Sequence, residues 1–223
     1  MEFIEYPDRE MMMIDLANRI AGELNTCLFQ HEWASLAVPG GTTPGPIFDD
    51  LCSADLDWGR VHVMLTDERW VPEDHERSNT RLLKERLLVD RARAATYVPL
   101  YAPAETPEEV LDGLAEAIRP EMPISILLLG MGADMHTASL FPGADRLADA
   151  LDRHAPPLMA MRAPGAPEPR ITLTAPVLTG AMTTHVVITG AEKREALEKA
   201  RHMKPIDAPI ATVLPNATVH WAD

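Results

Sequence analysis

Hydrophobic residues along this chain occur in short runs that alternate with segments of helical periodicity. The runs are rich in Val, Ile, Leu and Ala, as in buried strands, and none reaches the roughly 18 residues of a membrane helix. They lie at 34–38, 61–66, 124–130, 185–190 and 217–221. Segments with the spacing of amphipathic helices lie at 9–31, 44–53, 78–89, 107–119 and 191–203.

This alternation predicts an α/β fold, a doubly wound, mostly parallel sheet with helices on both faces. The length of 223 residues suits a single domain spanning 1–223. Pro44 fits the first turn of its helix, with Thr42 or Thr43 as the capping residue, and Ser78 is expected to cap the next helix. The proline-rich segment 156–170 fits neither a helix nor a central strand, so we interpret it as a surface excursion.

The charge and cysteine content of the chain limit the kinds of molecule that it is expected to bind. With 20 Lys and Arg against 34 Asp and Glu, the formal charge of −14 disfavours nucleic acid, and an anionic small ligand would need local basic residues. The acidic N-terminal segment is unlike a signal peptide, and no membrane partner is expected. Cys27 and Cys52 lack metal-ligand spacing and are read as free thiols of a reducing compartment. We therefore expect a cytoplasmic protein with no metal site.

Open parallel sheets bind ligands at the carboxyl ends of their strands, so the residues that follow the predicted strands are the first candidates for a binding site. Gly40, Gly41 and Thr42 follow the first strand in the sequence P-G-G-T-T-P. Such a turn offers main-chain N–H groups and a helix N-terminus to an anion such as phosphate, although it is also compatible with an ordinary tight turn. The spacing and lysine of a Walker loop are absent.

Charged residues follow two other strands. Asp67 and Arg69 follow the second apolar run. The guanidinium of Arg69 can donate two parallel hydrogen bonds to a phosphate. The alternative is a solvated edge or an internal salt bridge. Lys193 falls in the first turn of the last helix, where the helix dipole disfavours it, so it is either solvated or shares an anion with that N-terminus.

A histidine follows the third apolar run, in G-M-G-A-D-M-H. Met135 occupies the place of the third glycine of a dinucleotide fingerprint, so a Rossmann cofactor site is not supported. His136 is a candidate general base, and Asp134 is placed to orient its ring and hold its tautomer, although a histidine in such a turn, taken alone, is more often structural than catalytic. The coincidence of a base, an anion turn and basic residues at neighbouring strand ends favours one site over four unrelated features.

With these residues in view, the sequence resembles the 6-phosphogluconolactonase family, part of the glucosamine-6-phosphate isomerase/6-phosphogluconolactonase group. The matching segments, in the family's order, are PGGTTP, TDERWVP with Ser78 and Asn79 after it, LGMGADMHTASLFPG, RITLT from Arg170, and ITGAEK ending on Lys193. The resemblance implies hydrolysis of 6-phospho-D-glucono-1,5-lactone to 6-phospho-D-gluconate in the oxidative pentose phosphate pathway, without a metal or organic cofactor. We expect a monomer or weak homodimer.

The same resemblance assigns roles to individual residues. His136 would be the base that takes a proton from the attacking water, with Asp134 as its partner. The residues that would hold the phosphate or its neighbouring hydroxyls are Gly40, Gly41, Thr42, Asp67, Arg69, Arg170 and Lys193.

Two alternatives share the fold. A glucosamine-6-phosphate deaminase resembles this chain, but its histidine uses a glutamate where Phe141 stands here, and its D-E-Y is replaced by a segment ending in Arg69. A non-catalytic sugar-phosphate sensor would ordinarily bring a DNA-binding domain, for which no basic segment is found. The family usually has glycine at position 135, so Met135 is a departure that is strained if its φ is positive.

Overall fold

The computed structural model describes residues 1–223, in which ten strands form two sheets. The strands are β1 (Glu2–Glu5), β2 (Ala34–Val38), β3 (Val61–Leu65), β4 (Asp67–Arg69), β5 (Thr96–Val98), β6 (Ile126–Gly130), β7 (Leu158–Met161), β8 (Arg170–Leu173), β9 (Thr183–Thr189) and β10 (Ala217–Ala222). Seven of them form a parallel sheet in the order β1-β10-β9-β6-β2-β3-β5, and the other three form a small antiparallel sheet in the order β4-β8-β7.

Helices connect and flank the central sheet. They are α1 (Arg9–Gln30), α2 (Gly45–Leu51), α3 (Asn79–Arg86), α4 (Leu111–Ile118), α5 (Leu147–Leu151), α6 (Ala175–Thr179) and α7 (Ala191–Ala200). Helix α1 packs across β10, β2 and β6 through an apolar face that includes Leu16, Ile20 and Leu24, all fully buried. No helix is both long enough and apolar enough to cross a membrane.

The α/β prediction is confirmed, and each of the five predicted strands corresponds to a strand of the parallel sheet. The predicted helix at 107–119 begins instead as a 3₁₀ turn over Pro107–Glu109, and α4 starts at Leu111. Ser78 caps α3 as predicted, because its side chain accepts a hydrogen bond from the main-chain N–H of Arg81. Cys27 and Cys52 are buried free thiols.

Two local predictions were wrong. The cap of α2 is Pro44, without a side-chain hydrogen bond, so neither Thr42 nor Thr43 caps that helix. The segment 156–170 is not simply a surface excursion, because its residues Leu158–Met161 form the buried strand β7. Prolines flank this strand without interrupting it. Because β7 is an edge strand that pairs only with β8, nearby prolines remove no hydrogen bond from the centre of a sheet.

A chain of hydrogen-bonded side chains lies where β1, β10 and β9 meet α1. The hydroxyl of Tyr6 donates to Asp15 at 2.6 Å and lies 2.9 Å from Nδ1 of His220. The Nε2 atom of His220 lies 3.0 Å from Nδ1 of His185, whose Nε2 lies 2.8 Å from Glu23. Since the Tyr6 proton points to Asp15, Nδ1 of His220 donates to the Tyr6 oxygen, and the complete burial of the imidazole favours its neutral form.

This network generates a prediction for acid stability. Burial and, to a smaller extent, the neighbouring His185 lower the pKa of His220 to about 3, whereas the unfolded chain has an ordinary histidine there. The unfolded state therefore binds more protons below the unfolded pKa of about 6.5, so the free energy of unfolding falls as the pH falls, by at most about 1.4 kcal/mol per pH unit from this group.

We expect His220→Gln to flatten the dependence of the unfolding free energy on pH between about 6.5 and 5. Urea unfolding of both proteins at several pH values measures this slope. A variant whose slope matches that of the unchanged protein would contradict a neutral His220.

Candidate active site

The carboxyl ends of the central strands border an open cavity of about 240 Å³. The strand order places β9, β6, β2 and β3 side by side, so the segments that follow them converge there. Eight of the nine residues predicted for the site line the cavity: Gly40, Gly41, Thr42, Asp67, Arg69, His136, Arg170 and Lys193. The ninth, Asp134, does not line the cavity but is hydrogen-bonded to His136, which does.

The turn after β2 presents main-chain N–H groups to the cavity. None of the N–H groups from Gly40 to Thr43 donates to another group of the protein. A Cβ atom at Gly40 would lie 1.9 Å from Oδ1 of Asn79, so only glycine permits the close approach of this turn to α3. Asn79 is held in turn by the bond from its Nδ2 to the main-chain oxygen of Asp67, at 3.0 Å. The turn is therefore shaped to offer donors to an anion.

Two arginines are brought together by the pairing of β4 with β8. Arg69 lies directly opposite Arg170 in the antiparallel register. Like charges in such positions repel. Burial lowers the pKa of Arg170; the nearby Asp67 opposes this and Arg69 adds to it. The Nε atoms of both arginines are buried and have no hydrogen-bond partner in the protein. Both arginines line one cavity, and two guanidinium groups side by side are suited to a doubly charged anion such as phosphate.

Lys193 supplies a third cation to the same cavity. It lies in the first turn of α7, beside Gly190, and forms no ion pair with the protein. A lysine at this position opposes the helix dipole unless an anion is shared with the helix N-terminus. Its placement in the cavity therefore favours the interpretation that Lys193 shares an anion with the helix N-terminus over the interpretation that it is merely solvated.

Glu68 organises the elements that carry these groups. Its buried carboxylate accepts hydrogen bonds from the main-chain N–H groups of Arg69, Asn79 and Thr80, at 2.7, 2.8 and 2.8 Å. The hydroxyl of Thr80 also donates to it, at 2.7 Å. Burial raises the pKa of Glu68, and the hydrogen bonds from Asn79, Thr80 and Arg69 oppose that rise. Because it faces α3 and does not line the cavity, Glu68 serves to fix the start of that helix against β4.

The predicted base lies in a tightly bonded loop after β6. Asp134 accepts from Nδ1 of His136 at 2.5 Å and from its main-chain N–H at 3.1 Å. Burial alone would raise the pKa of Asp134, but the hydrogen bond and charge of His136 outweigh it and lower the pKa below its usual value. An ionised Asp134 holds a proton on Nδ1, which leaves Nε2 of His136 able to accept one.

Met135, between these two residues, has a φ of 67°. This is the left-handed region in which a side chain other than that of Asn, Asp or Gly is uncommon. The conformation is held from both sides, because the N–H of Met135 donates to Gly132 at 2.9 Å and its oxygen accepts from the N–H of Ile210 at 3.1 Å. The segment that precedes β10 thereby fixes the loop that carries the base.

The rest of the loop is bonded to the small sheet. Ser139, which is fully buried, donates its hydroxyl to Asp67 at 2.6 Å, and its N–H donates to the hydroxyl of Thr172 at 3.1 Å. Arg170 approaches the same carboxylate of Asp67 at 4.0 Å. Asp67 therefore ties β4, β8 and the histidine loop together, in addition to lining the cavity.

Sequence reasoning missed the importance of three residues. Glu68 and Asn79 stand in quoted motifs, yet only the tertiary structure shows which groups they bond. Phe141 stands where the deaminase has a glutamate, and its ring stacks on the imidazole of His136, with a centroid distance of 4.3 Å. An aromatic residue five positions after the histidine was the available signal.

The sequence model of the family described as glucosamine-6-phosphate isomerases/6-phosphogluconolactonase matches residues 7–221. The chain belongs to this family. A 6-phosphogluconolactonase of Rhizobium meliloti (strain 1021) is 40% identical over 216 residues, which cover 93% of this chain and 92% of that protein. One of Pseudomonas aeruginosa (strain PAO1) is 39% identical over 215 residues, covering 92% and 88%.

Solved structures of family members superpose closely on this chain. A 6-phosphogluconolactonase from Shewanella baltica OS155 gives a TM-score of 0.96 with 32% identity, covering 100% of this chain and 97% of that one. A monomeric glucosamine-6-phosphate deaminase gives a TM-score of 0.83 at 16% identity, covering 100% and 97%, so it shares the fold alone.

The role of Glu68 can be tested by Glu68→Gln. The amide NH₂ of glutamine would face the N–H groups of Asn79 or Thr80, so we expect the free energy of unfolding at pH 7 to fall by about 2 kcal/mol. Urea unfolding measures it. Glu105→Gln, at an exposed position, is the matched control and should change stability by less than about 0.5 kcal/mol. Equal losses in the two variants would contradict the proposed role.

Proposed function

We propose that this protein hydrolyses 6-phospho-D-glucono-1,5-lactone to 6-phospho-D-gluconate, the lactonase reaction of the oxidative pentose phosphate pathway. The observation that carries the proposal is a single cavity lined both by a histidine oriented by a carboxylate and by two arginines, half-buried Arg69 and buried Arg170, whose Nε atoms have no partner in the protein. The first suits proton transfer and the second suits a phosphate group. The relatives named 6-phosphogluconolactonase support the same activity.

The phosphate is assigned to the cationic side of the cavity. Arg69, Arg170 and Lys193 provide positive charge, and the N–H groups of Gly40, Gly41 and Thr42 provide directed donors. Their combined field overcomes the repulsion expected from a chain with a net charge of −14. Asp67 is proposed to contact a sugar hydroxyl, because a carboxylate would repel the phosphate itself.

In the proposed reaction, Nε2 of His136 takes a proton from water as the water oxygen bonds to the lactone carbonyl carbon. The bond between that carbon and the ring oxygen then breaks, and the proton passes to the leaving ring oxygen, which becomes a hydroxyl group. The product is an open-chain acid that still carries its phosphate. The sequence of steps is a hydrolysis with no change of oxidation state, so the proposal includes no cofactor.

Position 141 separates this proposal from the deaminase alternative. The ring-opening histidine of the deaminase relies on a carboxylate at that position, and here the imidazole stacks on the phenyl ring of Phe141 instead. An apolar ring accepts no proton, so the deaminase relay is not supported. A sensor without activity is disfavoured because a phosphate site alone needs no oriented base.

The remaining assignments belong to the same proposal. We treat residues 1–223 as one lactonase domain, because strands of both sheets contribute to one continuous apolar core. A cytoplasmic location is supported by the two free thiols, Cys27 and Cys52. We expect a monomer or weak homodimer, with the sugar phosphate lactone as the only partner.

The base can be tested with His136→Ala. When glucose-6-phosphate dehydrogenase generates the lactone, the protein should accelerate its loss above the spontaneous rate, and the variant should lower that excess by about 100-fold or more. The chain offers a matched control, because Asp152 and His154 form a second pair with the same spacing, exposed and away from the cavity. His154→Ala should leave the rate unchanged.

Each outcome of this assay has a clear meaning. Full activity of His136→Ala would overturn the mechanism. Release of ammonia from glucosamine 6-phosphate by the unchanged protein would favour the deaminase. Binding of 6-phosphogluconate without either activity would favour the sensor.

Met135 provides a separate test of the loop. Met135→Gly removes a side chain from a position with a φ of 67° and thereby relieves strain of about 1 kcal/mol. We expect lactonase activity to be retained or raised, as measured by kcat/KM in the same coupled assay. A large fall in activity at an unchanged melting temperature would show that the methionine side chain has its own role.

A further inference from the structure

Phe141 begins a tight turn and contacts two residues that line the cavity. It follows Leu140, which is fully buried, and precedes Pro142 and Gly143. The main-chain oxygen of Phe141 accepts from the N–H of Ala144 at 3.0 Å, and Gly143 has a φ of 75°. These features fit a type II turn, in which proline and a glycine with positive φ occupy the central positions. The turn fixes the point from which the phenyl ring projects.

The ring of Phe141 contacts two groups of the site. The imidazole of His136 stacks on it with a centroid distance of 4.3 Å and an interplanar angle of 25°. The guanidinium of Arg170 lies over the same ring, 5.5 Å from its centroid. One side chain therefore contacts both the base and a cation that faces the phosphate.

His136 needs a restraint of this kind. Asp134 holds only the Nδ1 edge of the imidazole, and its own side chain is 54% exposed, so water competes for that hydrogen bond. An edge contact leaves the ring free to tilt about the bonded atom. A flat contact on the face of the ring opposes that tilt and fixes the direction in which Nε2 points.

We propose that Phe141 is a positioning residue, which sets the orientation of His136 through ring stacking so that Nε2 meets the attacking water. The proposal rests on the proposed lactonase function. In it, Phe141 acts on the rate of the chemical step rather than on substrate affinity. Its contact with Arg170 is secondary, because that arginine is also held near Asp67 at 4.0 Å.

Phe141→Leu and Phe141→Tyr form the test, since leucine keeps the apolar contact without a flat ring and tyrosine restores the ring. We expect Phe141→Leu to lower kcat by about tenfold with KM changed by less than about twofold, because a small misplacement of a catalytic group is costly. Phe141→Tyr should return kcat to within about twofold of the unchanged protein. Phe29→Leu, at a position that is 84% exposed, controls for loss of an aromatic residue away from the site.

A second measurement needs no substrate. In the proton NMR spectrum, the ring signals of His136, identified by their absence in His136→Ala, should be displaced by the ring current of Phe141. The displacement should vanish in Phe141→Leu and persist in Phe141→Tyr. If the unchanged protein lacks lactonase activity, the proposed function fails, whereas the NMR measurement still decides whether Phe141 orients His136.

Other results would overturn the positioning role. A raised KM with unchanged kcat in Phe141→Leu would assign the ring to substrate binding through Arg170. Equal losses of kcat in the leucine and tyrosine variants would show that the rate depends on how Phe141 packs and not on ring stacking against His136. If Phe141→Leu does not fold, Phe141→Met offers an unbranched apolar side chain for the same comparison.

Discussion

The buried carboxylate of Glu68 joins the two elements that shape the side of the cavity lined by Arg69 and the turn at Gly40. It accepts N–H groups from β4 and from the first turn of α3, so the strand that carries Arg69 and the helix that carries Asn79 share one anchor. Asn79 in turn shapes the turn at Gly40. A carboxylate at a helix N-terminus is favoured by the helix dipole, and here that favourable interaction also determines the geometry of the site.

Much of the fold was predictable because the five longest apolar runs are the inner strands of a parallel sheet, which read as continuous hydrophobic segments. Strands β1, β4, β5, β7 and β8 were not, since three or four residues give too short a pattern and β7 lies between prolines. The position of most site residues followed from one topological rule, that ligands bind at the carboxyl ends of strands. The pairing of Arg69 with Arg170 required the antiparallel register of the small sheet, which no local pattern encodes.

The histidine shows most plainly what a local motif leaves undetermined. Asp134 with His136 and Asp152 with His154 have the same spacing, and in both pairs the histidine N–H donates to the aspartate. Only the first pair lies beside the cavity, with an aromatic ring against the imidazole and a left-handed residue within the loop. The chemistry therefore depends on the surroundings of the motif, and those come from segments distant in sequence.

The place of β10 in the sheet has a consequence for the order in which the molecule is assembled. This strand lies between β1 and β9, so β1 has no neighbour in the sheet until residues 217–222 are made. The N–H of Ile210, which holds the oxygen of Met135, arrives nearly as late. The loop that carries His136 therefore gains this main-chain hydrogen bond only after Lys193 and the other residues that line the cavity have been synthesised.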